Sequence, residues 1–108
     1  MNDRQLLELA AEAAGIEYCG PQSGTNVSLR DTPYWNPLEN DGDALRLAVR
    51  LRFCVTPGSV RVWVDPPGEH HYAATTERYD HDEMAATRRA IVRAAAELAR
   101  IARAPRPE

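Results

Sequence analysis

The stretch FCVTPGSVRVWVDPPG, residues 53–68, decides the fold because it carries the clearest β-sheet signal in the chain. Pro57-Gly58 provides turn residues between two runs rich in β-branched side chains. In the second run, valines alternate with polar or aromatic residues, and alternate side chains of a strand point to opposite faces of a sheet. The valines are Val60, Val62 and Val64, and the residues between them are Arg61, Trp63 and Asp65. The stretch therefore predicts a β-hairpin whose valines face the core.

Two segments before this hairpin predict helices. The first begins at Asn2 or Asp3, which can cap it, and ends at Gly15, where a left-handed residue is favoured. The second runs from about Asp41 to Arg52. Asp43, Arg46 and Arg50 form a narrow polar stripe along it. Because so narrow a polar stripe leaves most of the surface apolar, we expect this second helix to be largely buried.

A third helix is predicted from about Asp82 to Arg103, after the hairpin. Its apolar stripe consists of Met84, Ile91, Ala95, Leu98 and Ala102. Acidic side chains lie at its start, where the helix dipole favours anions. Two weaker signals add strands: a hairpin over Ile16–Cys19 and Thr25–Arg30, and a third strand over His70–Thr75.

This order of elements predicts an α/β (α+β) domain. We expect a small, mainly antiparallel sheet of three to five strands with three helices packed on it as a layered sandwich. The 108 residues suit one domain over residues 1–104, with a short tail at 105–108.

The composition is that of a globular protein, with 44% hydrophobic residues and a net charge of -3. No apolar run approaches the roughly 20 residues needed to cross a bilayer, and the N-terminal segment does not have the pattern of a secretory signal. We therefore expect a cytosolic protein with no membrane partner. Cys19 and Cys54 are expected to be reduced and at least partly buried.

The segment ENDGDA, residues 39–44, clusters carboxylates around a glycine, as calcium loops do. An EF-hand loop spreads its ligands over 12 residues, whereas this cluster runs directly into an apolar segment. Asn40 or Asp41 is placed to cap the second helix, and Asp43 lies near its positive end. The cluster predicts a helix cap that needs no metal.

Tyr34 and Trp35 lie in a proline-rich loop and have two interpretations. They form either an exposed recognition loop or a lid that folds Trp35 onto the core. Because tryptophan is highly buried on average, we favour the lid.

The three histidines, His70, His71 and His81, raise the possibility of a small metal-dependent enzyme. Adjacent residues of a strand point to opposite faces, so His70 and His71 do not easily share a metal, and the spacing matches no standard zinc pattern. The sequence also has no GxSxG, phosphate-binding loop or CxxC motif. We predict no catalytic residues, no cofactor and no metal site, and expect a protein that is not an enzyme.

Four arginines of the last helix form a predicted basic ridge: Arg89, Arg93, Arg100 and Arg103. At about 100° per residue they fall on one side, opposite the apolar stripe. This basic ridge is either an anion-binding surface for nucleic acid or an ordinary solvated face partly neutralised by Glu97. Because the protein is acidic overall, we favour the solvated face.

Two stretches resemble the phage ABA sandwich domain family: WNPLENDGDALRLAVRL, residues 35–51, and AATRRAIVRAAAELAR, residues 85–100. The resemblance covers about Trp35 to Arg103. It implies a phage or prophage protein with helices layered on a sheet, and it implies no catalytic residues. From this resemblance we expect an accessory, protein-interaction module in the cytoplasm of a bacterial host, with a phage or host protein as partner, using Tyr34, Trp35 and the basic ridge. The alternatives are a nucleic-acid-associated protein using the ridge, and the metal-dependent enzyme.

Overall fold

A computed structural model describes residues 2–16, 35–68 and 70–103, and within them it has an α+β fold. The elements follow the order α1 (Asp3–Ala14), α2 (Asp41–Arg50), β1 (Cys54–Pro57), β2 (Arg61–Asp65), β3 (Thr75–Arg78) and α3 (Glu83–Arg103). The strands form one antiparallel sheet in the order β1-β2-β3. The predicted fold class is confirmed. Among the described residues, no helix combines the length and apolar character that crossing a membrane requires.

Some predictions fall on residues that the structure does not describe. The hairpin over Ile16–Cys19 and Thr25–Arg30 lies outside the described residues except for Ile16, which directly follows the turn that ends α1. Cys19, Tyr34 and the tail at 105–108 also lie outside them.

The ends of α1 and α2 are set by local hydrogen bonds. The Asn2 side chain accepts from the backbone of Gln5, whose own side chain accepts from the Asn2 backbone, which completes a capping box. Gly15 ends α1 in the left-handed region at φ 72°. Asn40 caps α2 by accepting from the Asp43 N–H at 2.9 Å. Gly15 was predicted from the sequence, and for each N-terminal end the structure selects one of two predicted caps: Asn2 over Asp3, and Asn40 over Asp41.

The hairpin of β1 and β2 forms as predicted, with Val62 and Val64 completely buried. Pro57 is the last residue of β1 and pairs with Val62, so the turn lies one step later than predicted. The Gly58 N–H donates to the Arg61 carbonyl across this turn at 2.8 Å. Val60, predicted to face the core, lies beyond the paired strands and is 52% exposed.

The third strand is displaced along the chain from its predicted position. Residues His71–Ala73 form a short 3₁₀ turn, and β3 begins only at Thr75. The buried Thr75 hydroxyl donates to the Ala90 carbonyl of α3 at 2.7 Å, which ties the start of β3 to the core. The predicted strand over His70–Thr75 is therefore wrong. The contact that fixes the start of β3 joins Thr75 to Ala90, 15 residues away, so the local sequence pattern does not indicate it.

Helix α3 is the centre of the core, because it contacts α1, α2, β2 and β3. A helix enclosed in this way needs more than one apolar side, and α3 meets the need largely with alanines. Its buried residues are Ala86, Ala90, Ile91, Val92, Ala94, Ala95, Ala96 and Ala99. Met84, predicted for the apolar stripe, is 52% exposed. The helices do not all pack on the sheet: α1 packs chiefly on α3, which separates it from the strands.

Helix α2 is buried on a different side from the one predicted. Asp43, assigned to the polar stripe, is only 3% exposed, whereas Leu45 and Val49 are 63% and 57% exposed. The Asp43 carboxylate accepts from the Asn36 N–H and from Arg46, and these two bonds offset the cost of its burial. The expectation of a largely buried α2 is corrected, since one apolar pair faces solvent.

Candidate functional site

The basic ridge of α3 is not a free cationic surface in the structure. Arg89 pairs with Asp3, Arg93 with Glu77, Arg100 with Glu97, and Arg103 with Glu12. Three of these pairs join α3 to α1 or β3, so the arginines lie at the edges of packing contacts. The ridge was predicted to face solvent opposite a single apolar stripe. Because α3 packs against several elements, three of the four arginines pair with carboxylates of those elements, and Arg100 pairs with Glu97 of α3 itself.

The pairing also shifts the pKa of three groups on α3. Hydrogen bonds from Arg100 lower the pKa of Glu97 below its usual range, and the charge of Arg93 acts in the same direction. The same hydrogen bonds raise the pKa of Arg100, and hydrogen bonds to Glu12 raise the pKa of Arg103. Arg100 and Arg103 therefore already form hydrogen-bonded ion pairs with carboxylates of the same chain.

Trp35 is buried, as the lid interpretation predicted, with 8% of its surface exposed. It belongs to the cluster that contains the buried residues of α1, α2 and α3. Trp35 is therefore a core residue and not a contact surface.

The segment ENDGDA acts as the helix cap that the sequence predicted. Asn40 caps α2, and Asp41 accepts a hydrogen bond from Arg88 of α3 at 2.6 Å. The other bond of Arg88 is donated to the Leu38 carbonyl at 2.8 Å. The cluster therefore joins the start of α2 to α3.

The histidines do not form a visible metal site. Within residues 2–16, 35–68 and 70–103, no three His, Cys, Asp or Glu side chains are grouped so that they could hold a metal ion. His70 Nδ1 lies 2.8 Å from the Tyr72 hydroxyl. His81 lies in an open groove of about 860 Å³ between the β1–β2 turn and the start of α3. This groove is acidic, because Asp80, Asp82 and Glu83 also line it.

The outer face of the sheet, opposite α3, carries a different set of residues. The strand register places them on one side: Cys54 and Thr56 from β1, Arg61, Trp63 and Asp65 from β2, and Thr76 and Arg78 from β3. Trp63 is 45% exposed, although Val62 and Val64 on either side of it are completely buried. Cys54 is also exposed, contrary to the predicted burial, because it points to this face.

The Trp63 ring lies directly against the backbone of Gly58. A Cβ atom on Gly58 would lie 2.6 Å from Cζ3 of Trp63 and 2.9 Å from the Arg61 carbonyl oxygen. A side chain at position 58 would therefore displace the ring. Because Gly58 has no side chain, the indole of Trp63 can extend over β1 toward the β1–β2 turn, in the direction of Arg61.

Arg61 and Arg78 face each other across β2 and β3. In an antiparallel sheet, hydrogen-bonded and non-hydrogen-bonded residue pairs alternate. The Tyr79 N–H donates to the Val60 carbonyl, so Val60 and Tyr79 form a hydrogen-bonded pair. The next pair, Arg61 and Arg78, is therefore non-hydrogen-bonded, and the side chains of such a pair lie closer together. Like charges directly opposite each other destabilise a sheet. In the described part of the chain, neither arginine side chain has a hydrogen bond or an ion pair, whereas seven other arginines form ion pairs.

We call Arg61, Trp63 and Arg78 the outer-face cluster. This cluster was not predicted from the sequence, although the alternation of Arg61 and Trp63 with valines indicated a set of outward-facing residues. Arg78 was missed because the third strand was predicted several residues too early. The cluster depends on the register between β2 and β3, which no local pattern indicates.

Comparison of the chain with models of known protein families, with curated proteins and with solved structures finds no significant match.

Proposed function

We propose that this chain is a non-enzymatic accessory protein of a phage or prophage, and that it binds a macromolecular partner through the outer face of its sheet. The observation that carries the binding role is the exposed Trp63, held in place over Gly58 on a sheet face that α3 does not cover. Exposed aromatic side chains on a rigid support are typical of contact residues. The phage origin rests on the resemblance of residues 35–51 and 85–100.

The surface proposed here differs from the one expected from the sequence. Trp35 is buried, and the ridge arginines pair with carboxylates of the same chain. A partner that used the ridge would have to displace these internal ion pairs. The outer-face cluster requires no such displacement.

A pull-down with the tagged full-length chain from induced bacterial cells tests the binding role. We expect Trp63→Ala to lose the captured partner, because the exposed ring supplies the main apolar contact. Leu45→Ala is the matched control, since Leu45 is an exposed apolar residue on α2, 63% exposed. Equal capture by the wild type and both variants would contradict the proposal.

A further inference from the structure

We propose that the outer-face cluster binds single-stranded nucleic acid, with a base stacked on Trp63 and phosphate groups on Arg61 and Arg78. This inference rests on the proposed function, because it names the class of partner that the outer face takes. It is carried by three features of the described residues: the unpaired arginines, the supported indole and the small size of the face.

The two arginines supply charge complementarity to phosphate. They stand opposite each other in a close pair, and neither meets a carboxylate in the described residues. Their mutual repulsion is a cost in the unbound protein. An anion placed between them converts that repulsion into two attractions, and arginine is especially suited to phosphate because its guanidinium donates in a fork.

The indole beside them supplies a stacking surface. Trp63 is two residues from Arg61 on the same face of β2, a separation of roughly 7 Å along the strand. A nucleotide likewise has its charged phosphate several ångströms from its flat base. Stacking on an aromatic side chain tolerates any base and needs one that is not already stacked in a duplex, so the site favours a single strand.

The dimensions of the face favour a nucleotide strand over a folded protein. Two strands of four residues and one of five, at about 3.4 Å per residue and about 4.8 Å between strands, cover roughly 210 Å². A stable protein interface buries about 800 Å² on each partner and has an apolar core. Around Trp63 the outward positions hold Thr56 and Thr76, so the face has no such core.

The acidic groove restricts where a strand can lie. Asp80, Asp82 and Glu83 line it together with Arg78, beyond the end of β3 that is farther from Trp63, and these three carboxylates repel phosphate. We therefore expect a short contact, confined to the sheet, and weak binding that depends strongly on salt.

Fluorescence anisotropy with labelled oligodeoxythymidylate and oligouridylate tests the inference on the full-length chain. We expect Trp63→Ala to weaken binding about 5- to 150-fold, the range found for loss of one stacked base. Trp63→Phe keeps a ring and should lose less. Circular dichroism confirms that each variant is folded.

A charge-matched pair of double variants tests the role of the arginines. Arg61→Gln/Arg78→Gln should reduce the slope of log affinity against log salt by about 1.4, since each phosphate contact to a single strand contributes about 0.7. Arg4→Gln/Arg100→Gln removes the same charge elsewhere on the surface and should leave the slope unchanged. Equal losses in both double variants would show that only net charge matters and would overturn the inference.

Three other outcomes also overturn it: no binding at low salt, equal binding of duplex and single strand, or binding of polyglutamate without binding of either oligonucleotide. If partner capture from cells still depends on Trp63 in any of these cases, the proposed function stands and only the nucleic-acid inference fails. If neither capture nor oligonucleotide binding depends on Trp63, both fail.

Discussion

The two faces of the sheet are built from alternate residues of the same strands, yet they have opposite properties. On the inner face, Val62 and Val64 have no exposed surface and pack toward α3. On the outer face, Trp63 is nearly half exposed and Arg61 faces Arg78. Burial of the inner residues removes apolar surface from water and stabilises the fold. The outer residues contribute little stability, and the like charges of Arg61 and Arg78 reduce it. The difference indicates that binding residues can occupy the outer face of the sheet, because changes there leave the packing of the core intact.

The largest expected effect tests the inner face. Val62→Ala should lower the free energy of unfolding by about 2 kcal/mol, because it removes two completely buried methyl groups and leaves a cavity. Arg61→Thr, the next residue along the strand, is the control and should cause no loss. Urea denaturation measures both, and similar losses at the two positions would contradict the assignment of the faces.

Gly58→Ala tests the support beneath Trp63. The added methyl would collide with the indole and with the Arg61 carbonyl, so we expect a loss of about 1–2 kcal/mol in the free energy of unfolding, in the lower part of the range for overpacking. The Trp63 fluorescence should also become more accessible to a quencher. In a Trp63→Ala background the cost of Gly58→Ala should shrink to the part caused by the carbonyl. An unchanged cost would mean that the ring does not rest on Gly58.

A smaller effect is expected from relieving the like-charge pair. Arg78→Gln should raise the free energy of unfolding at low salt by a few tenths of a kcal/mol, because it removes the repulsion with Arg61. The gain should disappear as added salt screens the charges. Arg89→Gln is the contrasting variant, because it removes an arginine paired with Asp3 and should bring no gain. Thermal denaturation over a salt series compares them.

The smallest effect concerns the ion pair between Glu97 and Arg100 on α3. It contrasts with Arg61 and Arg78 of the sheet, whose side chains form no ion pair in the described part of the chain. Because Arg100 lowers the pKa of Glu97 in the folded protein, the pair stabilises it above the ordinary glutamate pKa. That contribution is lost as the pH falls from the ordinary value through the lowered one. Glu97→Gln should therefore cost slightly at neutral pH and nothing in acid. A loss that persists in acid would point to packing rather than charge.

The local sequence was sufficient for the elements whose signals lie within a few residues. Asn2, Gly15 and Asn40 set helix ends through hydrogen bonds that span at most four residues, and the alternation in β2 is likewise local. Burial of Trp35 followed from the average behaviour of its type. These features, and the α+β class that they imply, could be deduced from the order of residues.

Contacts between distant parts of the chain decided the rest. The start of β3 depends on Thr75 reaching Ala90, and the charge of the ridge depends on partners such as Asp3, which lies 86 residues from Arg89. Burial of Asp43 depends on the Asn36 N–H and on the side of α2 that packs. The sequence alone thus determined which segments are helix and hairpin, because those signals are short-range. Only the tertiary structure decided which charges are paired and that Arg61, Trp63 and Arg78 share one open face, because register and packing arise from long-range contacts.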